Sequence, residues 1–296
     1  MTEAEAILAR LSEIRATRPE AVGEALARRR RRLTADGTLF LVAADHPARG
    51  VLKAGHDPMA MADRGELLRR LVVALGRPGV DGLLATADIV DDLALLGCLE
   101  DRVVFGSMNR GGLKGFRFEL DDRFTGYSAD GISAAGLDGG KMMLRIADHP
   151  ATLPTLEACA RAIDRLATHR LPALIEVFAS QVEGEHVRDR TDPDSLIRAI
   201  AVASGLGTSS AHVWLKLPAV DDMERVMRAT SLPTLLLGGE TGGRSGAVFE
   251  RWERAMAIPQ VRGLVAGRAL LYPTDGDVAA AVDAAAAIVL RKARVA

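Results

Sequence analysis

One apolar run does most to decide how this chain folds: His212-Val-Trp-Leu-Lys-Leu-Pro-Ala219. A short, nearly continuous apolar run of this kind is typical of a buried strand in a parallel sheet. Its one charged residue is Lys216. The chain contains 33 Arg but only five Lys, so Arg supplies most of its positive charge. A Lys in the middle of a core strand therefore indicates chemistry rather than surface charge.

Burial would give this lysine a property that Arg lacks. Desolvation disfavours the ammonium form of a buried Lys, whereas Arg keeps its proton in proteins. A neutral amine can attack a carbonyl carbon and form a Schiff base. Lys216 is therefore the leading candidate for a catalytic residue.

Eight such runs, alternating with helical patterns, predict the fold. The predicted strands are Thr38–Asp45, Gly82–Asp88, Arg102–Asn109, Lys141–Ala147, Ala173–Ser180, His212–Ala219, Thr234–Glu240 and Gly263–Arg268. Helical spacing occurs at 64–75, 153–167, 193–204, 221–229, 247–258 and 277–294. Eight strand–helix units in about 250 residues predict an α/β fold, the (β/α)8 TIM barrel. The first strand–helix turn, 45–50, lacks the G-x-G-x-x-G pattern of the doubly wound alternative.

Two segments do not follow this alternation of strands and helices. Helical patterns on either side of Pro19 predict residues 1–37 as an N-terminal helical extension and 38–296 as the barrel catalytic domain. Residues 110–139 contain seven Gly and no clear long helix. They are predicted as the loop after the third strand, on the catalytic face. Two interpretations stay open, a lid over the site and a variable insertion with a short helix.

Composition excludes several classes of partner. A net charge of −1 and an aromatic content of 4% do not favour nucleic-acid binding. The basic run Arg28–Arg32 is interpreted as a solvated helix end. No apolar run is long enough to span a membrane, and the N-terminus lacks the pattern of a signal peptide. Cys98 and Cys159 have no metal or redox spacing, so the sequence predicts a cytoplasmic protein.

Strand periodicity predicts which polar side chains enter the barrel. Side chains alternate between the interior and the helix layer, so Trp214 and Lys216 share one face. Glu176 is the one polar residue of the run 172–179, and a carboxylate facing the helices would be costly to bury. Glu176 is therefore expected inside, beside Lys216 on the next strand. Such an acid can move protons during Schiff-base formation; the alternative is a structural ion pair.

Other charged residues are assigned by their place on a strand. Asp45 ends the first strand, on the catalytic face, where it could bind substrate hydroxyls, assist C–C cleavage or simply begin a helix. The adjacent His46 is a substrate-binding candidate, and Arg145 is a candidate for an anionic substrate group. Lys141 begins its predicted strand, which places it at the opposite face and argues against it as the nucleophile.

The last two strands end in glycines, a pattern that favours an anion site. Barrel phosphate sites often form in the loops after strands seven and eight. The predicted phosphate-binding residues are Gly238, Gly239, Gly267 and Arg268, although the nearby carboxylate of Glu240 would repel phosphate unless it points away. No H-x-H or H-x-x-x-H pair is present, so no metal and no cofactor are expected.

Four motifs resemble the class I, Schiff-base aldolases with (β/α)8 barrels. They are Val42-Ala-Ala-Asp-His46, Leu174-Ile-Glu-Val177, Val213-Trp-Leu-Lys-Leu217 and Gly263-Leu-Val-Ala-Gly-Arg268, and the resemblance covers about residues 38–272. It is to the branch with archaeal-type fructose-bisphosphate and tagatose-bisphosphate aldolases, and more distantly deoxyribose-phosphate aldolase. Actinobacterial aldolase-like proteins linked to inositol breakdown are more similar still. The sequence departs from the pattern in the glycine-rich loop 238–243 and in segment 110–139.

This resemblance implies a function and roles for individual residues. Lys216 matches the imine-forming Lys, Glu176 the assisting Glu of the tagatose branch, and Asp45 the Asp of strand one. Gly267 and Arg268 match the phosphate-binding pair. The implied protein is a class I aldolase, a lyase that cleaves or forms a C–C bond in a keto-sugar phosphate, commonly as a homo-oligomer. A noncatalytic sugar-phosphate-binding barrel and a metal-dependent lyase remain as alternatives.

Overall fold

The structure is a computed structural model that describes residues 1–31, 37–184, 186–238 and 245–293. The strands are β1 Leu39–Ala43, β2 Gly82–Ala85, β3 Val103–Ser107, β4 Gly139–Ile146, β5 Ala173–Glu183, β6 His186–Arg190, β7 Val213–Pro218, β8 Thr234–Leu237 and β9 Val261–Ala266. The first helices are α1 Glu3–Thr17, α2 Ala21–Arg28, α3 Arg64–Leu75, α4 Ala87–Leu95 and α5 Ala129–Ala134. They are followed by α6 Thr152–Thr168, α7 Pro193–Ser204, α8 Met223–Met227, α9 Ser245–Met256, α10 Arg268–Leu271 and α11 Val278–Ala293.

The strands close into a parallel barrel surrounded by helices. Hydrogen bonding runs in the order β4-β3-β2-β1-β9-β8-β7-β5, and pairing of β4 with β5 closes the ring. This is the predicted (β/α)8 TIM barrel, and that prediction is confirmed. β6 stands apart from the ring, because among the described strands it pairs with β5 alone, antiparallel, through residues 179–183.

The alternation of side chains divides the core in two. Leu215 and Leu217 of β7 face outward into the large core between strands and helices. Leu41, Leu174 and Val265 face inward and belong to a smaller apolar cluster inside the barrel. That cluster fills only part of the interior. Charged side chains occupy the next level toward the carboxyl ends of the strands, where barrel enzymes place their active sites.

The N-terminal helices lie against the outside of the barrel. α1 packs on α3 so closely that a Cβ at Gly65 would lie 2.7 Å from the carbonyl oxygen of Ala4. Arg15 of α1 bonds Asp92 of α4 at 2.8 Å. None of the helices described here is long and apolar enough to cross a membrane.

Several predicted boundaries were wrong. The second predicted strand extended to Asp88, but α4 begins at Ala87 and includes that residue. The fourth strand begins at Gly139 rather than at Lys141. The hairpin strand β6 was not predicted. Segment 110–139 contains the short helix α5, and its first half lies against the mouth of the barrel.

Candidate active site

A buried layer of four charged side chains crosses the upper interior of the barrel. Glu176 of β5 accepts a hydrogen bond from Lys216 Nζ on β7 at 2.6 Å, through Oε1. Its other oxygen, Oε2, pairs with Lys141 Nζ on β4. Lys141 Nζ in turn donates to Asp45 Oδ2 at 2.9 Å. The layer is thus a continuous chain of alternating charge, Asp45–Lys141–Glu176–Lys216.

Strand register explains why these residues meet. Glu176 stands directly opposite Lys216 in the β5–β7 pairing, so the adjacency predicted from the sequence is confirmed. Ser107 stands opposite Lys141 in the β3–β4 pairing, and its hydroxyl donates to Asp45 Oδ2 at 3.0 Å. Parallel strands with inward-facing residues at the same level place all of these groups in one layer.

The two lysines set the ionisation of the glutamate between them. Burial favours the neutral acid and raises the pKa of Glu176, but Lys141 and Lys216 outweigh it and hold that pKa below its usual range. Glu176 is therefore a carboxylate at neutral pH. Both of its oxygens are occupied, Oε1 by the hydrogen bond from Lys216 and Oε2 by the ion pair with Lys141.

Asp45 is held as a carboxylate by a different set of neighbours. Burial raises its pKa, but Arg110, Lys141 and Lys216 together keep it well below the usual value. Arg110 Nη1 lies 3.1 Å from Asp45 Oδ2, and Arg110 Nη2 donates to the backbone carbonyl of Asp45 at 2.8 Å. Arg110 belongs to segment 110–139, so this segment places a cation on the charged layer.

The position predicted for Lys141 was wrong. Its predicted place at the opposite face of the barrel rested on a strand starting at residue 141. Because β4 begins two residues earlier, Lys141 lies deeper along the strand, among the catalytic candidates, and its side chain is 0% exposed. Burial lowers the pKa of Lys141, while Asp45 and Glu176 act to raise it.

A cleft of about 450 Å³ opens above this layer. Its floor includes Asp45, Glu176 and Lys216, which places the amine of Lys216 within reach of a small molecule. This volume is within the range of small-molecule sites in proteins, about 300–1,000 Å³. Lys141 lies below the floor, sealed from the cleft by its complete burial.

The predicted phosphate-binding residues line one end of this cleft. Gly238, Gly267 and Arg268 are all part of its wall, and Arg268 Nη1 donates to the carbonyl of Lys53 at 3.4 Å. A side chain at Gly267 would collide with the carbonyl of Ala43, so only glycine fits there. Gly239 and the loop that follows it lie outside the described residues.

His46 lies beside the phosphate end of the cleft. Burial, opposed by Asp45 and assisted by Arg268, lowers the pKa of His46 to about 3, so the imidazole is neutral at neutral pH. Within the described chain, its Nδ1 is buried without a hydrogen-bond partner. A neutral imidazole offers hydrogen bonds rather than charge to a ligand.

Arg145 is already held by acidic partners. Its guanidinium donates to both carboxylate oxygens of Asp122, at 2.7 and 2.8 Å, and pairs with Glu119 at 3.3 Å. Both partners come from segment 110–139. Arg145 lines the cleft but also anchors that segment, a role that its place in an apolar strand does not indicate.

The two tyrosines of the chain do not reach the cleft. Tyr127 packs against the outer core, and burial raises its pKa above the usual value. The guanidinium of Arg70 lies over the ring of Tyr272, with its Cζ 4.6 Å from the ring centroid. Neither phenol is therefore placed to act on a molecule in the cleft.

Four residues of the site were missed or misjudged from the sequence: Lys141, Arg110, Ser107 and Arg49. Ser107 and Arg110 lie just where the third predicted strand ends, and polar residues at that end are a usable signal. Arg49 gave no such signal in the sequence, because its side chain reaches β4 from the turn after β1. Among the described residues, no group of three or more His, Cys, Asp or Glu side chains is placed to hold a metal.

The fold and the site define a (β/α)8 barrel with a lysine–carboxylate layer under its mouth. Residues 37–286 match the family model described as Cgl0159-like, and the chain belongs to this family. The crystal structure of Cgl0159 from Corynebacterium glutamicum is 51% identical, covering 96% of this chain and 97% of that one, with a TM-score of 0.93.

More distant structures share the fold alone. A Schiff-base-forming fructose-1,6-bisphosphate aldolase is 17% identical and covers 90% of this chain and 99% of its own, with a TM-score of 0.66. The fructose-bisphosphate aldolase of Slackia heliotrinireducens is 13% identical over 86% of this chain and 82% of its own, with a TM-score of 0.64. No curated protein sequence matches the chain.

Proposed function

We propose that this protein is a class I aldolase that cleaves or forms a C–C bond in a phosphorylated keto sugar through a Schiff base on Lys216. The observation that carries the proposal is the contact between Lys216 and Glu176 at 2.6 Å on the floor of the cleft. It joins a potential nucleophile to a proton acceptor on the floor of a cleft large enough for a small molecule.

The first half of the reaction uses this pair. Glu176 accepts a proton from the Lys216 ammonium, and the free amine adds to the ketone carbon of the substrate to give a carbinolamine. The protonated Glu176 then returns its proton to the carbinolamine hydroxyl, which leaves as water. The product is an iminium ion, and its positive nitrogen can accept an electron pair from a neighbouring C–C bond.

The second half uses Asp45. Its carboxylate accepts the proton of the hydroxyl group β to the iminium carbon. The C–C bond breaks and an aldehyde leaves. The electron pair of the broken bond moves toward the iminium nitrogen, which gives an enamine. Protonation of the enamine and attack by water then release the ketone and regenerate Lys216. Lys141 keeps Asp45 and Glu176 ionised at the start of the cycle.

The similarity to solved aldolases supports the same proposal without assigning a substrate. One of them, an archaeal fructose-1,6-bisphosphate aldolase at 17% identity, is described with its catalytic Lys covalently bound to the carbinolamine intermediate of the substrate. The proposal extends this chemistry to Lys216. Three further expectations from the sequence belong to this proposal: a link to inositol breakdown, a cytoplasmic location and a homo-oligomeric state.

Trapping with borohydride tests this function directly. The protein is incubated with a panel of keto-sugar phosphates and reduced, and its intact mass is measured. One adduct per chain, together with release of an aldehyde before reduction, is expected. Binding of these compounds with neither adduct nor aldehyde would favour a noncatalytic barrel. Cleavage lost in a chelator would favour a metal-dependent lyase.

A further inference from the structure

The hairpin of β5 and β6 places a carboxylate on the wall of the cleft. Asp189 on β6 stands directly opposite Ser180 on β5, and the Ser180 hydroxyl donates to Asp189 Oδ1 at 2.6 Å. Glu176, Phe178 and Ser180 alternate along β5, so they share the face that turns into the barrel. Because Asp189 is the cross-strand partner of Ser180, it lies on that same side. Its side chain lines the cleft together with Phe178.

The carboxylate of Asp189 has an oxygen available to a ligand. Its Oδ1 accepts from Ser180, but none of the residues that the structure describes donates to its Oδ2. Asp189 is accessible to solvent, yet the protein around the cleft desolvates the carboxylate and raises its pKa above the usual value, although Ser180 and Arg145 act to lower it. The charge of Asp189 is thus only partly compensated by the protein, which favours a further hydrogen bond from a ligand.

Asp189 lies above the charged layer rather than in it. Its partner Ser180 is two inward-facing positions beyond Glu176 along β5. Glu176 itself accepts from Lys216 on the floor of the cleft. Asp189 is therefore placed to bind a part of the substrate away from the reacting carbon, and not to take part in breaking the C–C bond.

Strand order separates Asp189 from the predicted phosphate-binding residues. Gly267 and Arg268 follow β9, whereas Asp189 stands beside β5. Between β9 and β5 the ring passes through β8 and β7, and Lys216 belongs to β7. A ketone bound at Lys216, with its phosphate at Gly267, would therefore direct its other end toward the hairpin.

The charges at the hairpin end of the cleft balance. The cations that line it are Arg49, Lys114 and Arg145, and the carboxylates that line it or contact these cations are Glu119, Asp122 and Asp189. Arg49 Nη2 is buried and has no partner in the part of the chain that the structure describes. A balanced end of this kind favours a neutral polar group over an anion. A hydroxyl group is suitable, because it can donate to Asp189 and accept from Arg49.

We propose that Asp189 determines substrate specificity by accepting a hydrogen bond from the terminal hydroxyl group of the keto sugar, at the end remote from its phosphate. The same carboxylate repels a second phosphate at that position. The preferred substrate is therefore a monophosphate with an uncharged, hydroxylated end. This inference rests on the proposed aldolase function and narrows its substrate.

Three six-carbon ketones that share a phosphate beside the ketone form the test. They differ only at the last carbon, which carries a hydroxyl group, a hydrogen atom or a second phosphate. The rate of borohydride-trapped adduct formation is measured below saturation for Asp189→Ala and Asp189→Asn and is divided by the wild-type rate with the same compound. Glu183→Gln is the matched control, since it removes a carboxylate of the same hairpin that pairs with the exposed Arg188 at 3.6 Å.

Asp189→Ala should slow the reaction of the hydroxyl compound by about 10- to 100-fold, the range expected for a lost hydrogen bond to a charged group. It should leave the hydrogen compound nearly unchanged. It should speed the reaction of the two-phosphate compound, because the repelling charge is gone. Asp189→Asn keeps an acceptor for Ser180 and should show a smaller loss with the hydroxyl compound and the same gain with the two-phosphate compound.

Glu183→Gln should match the wild type with all three compounds. The inference would be overturned if the two Asp189 variants changed the rates of all three compounds by the same factor, or changed none of them. A slower reaction of the two-phosphate compound in Asp189→Asn would also overturn it.

A second measurement separates this inference from the proposed function. If the wild type forms no adduct with any ketone, the Schiff-base proposal fails. Calorimetric affinities for the same compounds then decide the role of Asp189. A preference of the wild type for the hydroxyl compound over the hydrogen compound that disappears in Asp189→Ala supports the hydroxyl site, and unchanged affinities refute it.

Discussion

Two buried lysines contact the carboxylate of Glu176 from different sides of the barrel interior, Lys141 from β4 and Lys216 from β7. The surroundings of the two lysines differ. Lys141 on β4 contacts both Asp45 and Glu176 and is completely buried. Lys216 on β7 contacts Glu176 and lines the cleft. Burial alone therefore does not identify the nucleophile. Under the proposed mechanism, access to the cleft and the number of bound carboxylates distinguish Lys216, the proposed nucleophile, from Lys141, which holds the layer together.

Lys216→Arg should have the largest effect. Arg keeps the positive charge beside Glu176 but cannot attack a carbonyl. Turnover is expected to fall by roughly 10³- to 10⁶-fold, as for loss of a covalent nucleophile, with an unchanged circular dichroism spectrum. Lys292→Arg, on α11 and remote from the cleft, is the matched control and should retain full activity. Undiminished cleavage by Lys216→Arg would mean that the reactive lysine is elsewhere.

Glu176→Gln tests the group that the two lysines share. The amide keeps the shape but can neither accept nor return a proton. Formation of the Schiff base should slow by about 10²- to 10⁴-fold, the usual contribution of a general acid–base group. Single-turnover trapping separates this step from C–C cleavage. A defect confined to C–C cleavage would mean that a residue other than Glu176 transfers the proton during Schiff-base formation.

Lys141→Met tests the structural side of the comparison. Removing the cation leaves Asp45 and Glu176 buried without their shared partner, which should reduce the free energy of unfolding by about 3–5 kcal/mol. Asp45→Asn should cost less stability in this variant than in the wild type, because its contact with Lys141 is already lost. Denaturant unfolding of the two single variants and the double variant measures both effects; an equal cost of Asp45→Asn in the two backgrounds would show that Lys141 and Asp45 do not stabilise each other.

The same variant has a defined pH dependence. The pKa values of Asp45 and Glu176 are held below their usual values, so the stability they contribute is present above about pH 4 and is lost as the pH falls below it. The deficit of Lys141→Met should therefore be largest near pH 7 and should shrink toward pH 3. A deficit that stays constant over this range would show that lost packing, rather than charge, destabilises the variant.

Arg268→Ala should have the smallest effect of these substitutions and concerns only the phosphate end of the cleft. The KM for a phosphorylated ketone should rise by about 10- to 100-fold, and the KM for its unphosphorylated analogue should change far less. An equal rise for both compounds would remove Arg268 from phosphate binding.

The barrel and the Glu176–Lys216 contact could be predicted from the sequence because both depend on short-range periodicity. Apolar runs and helical spacing gave the eight units, and strand alternation turned both side chains inward. The depth of Lys141 could not be obtained in the same way. Gly139 and Gly140 lack the side chains that mark a strand, and the ring of Phe105 takes the space that a Cβ at Gly139 would need.

The roles of the arginines depended on contacts between distant parts of the chain. A charge in an apolar strand made Arg145 a candidate for an anionic group of the substrate, but Asp122, 23 residues earlier, takes its guanidinium. Arg49, from the turn after β1, instead reaches the same side of the cleft, where no residue that the structure describes accepts from its Nη2. Sequence periodicity contains no information about which loop folds back over which strand.

Peptide mapping of the borohydride-reduced adduct shows which lysine forms the Schiff base. The wild-type protein is reduced in the presence of the keto-sugar phosphate that it cleaves and then digested, and the modified lysine is located by mass spectrometry. A single modified site is expected, Lys216, with Lys141 unmodified below it. An adduct on Lys141 or Lys114 would show that Lys216 is not the residue that forms the Schiff base.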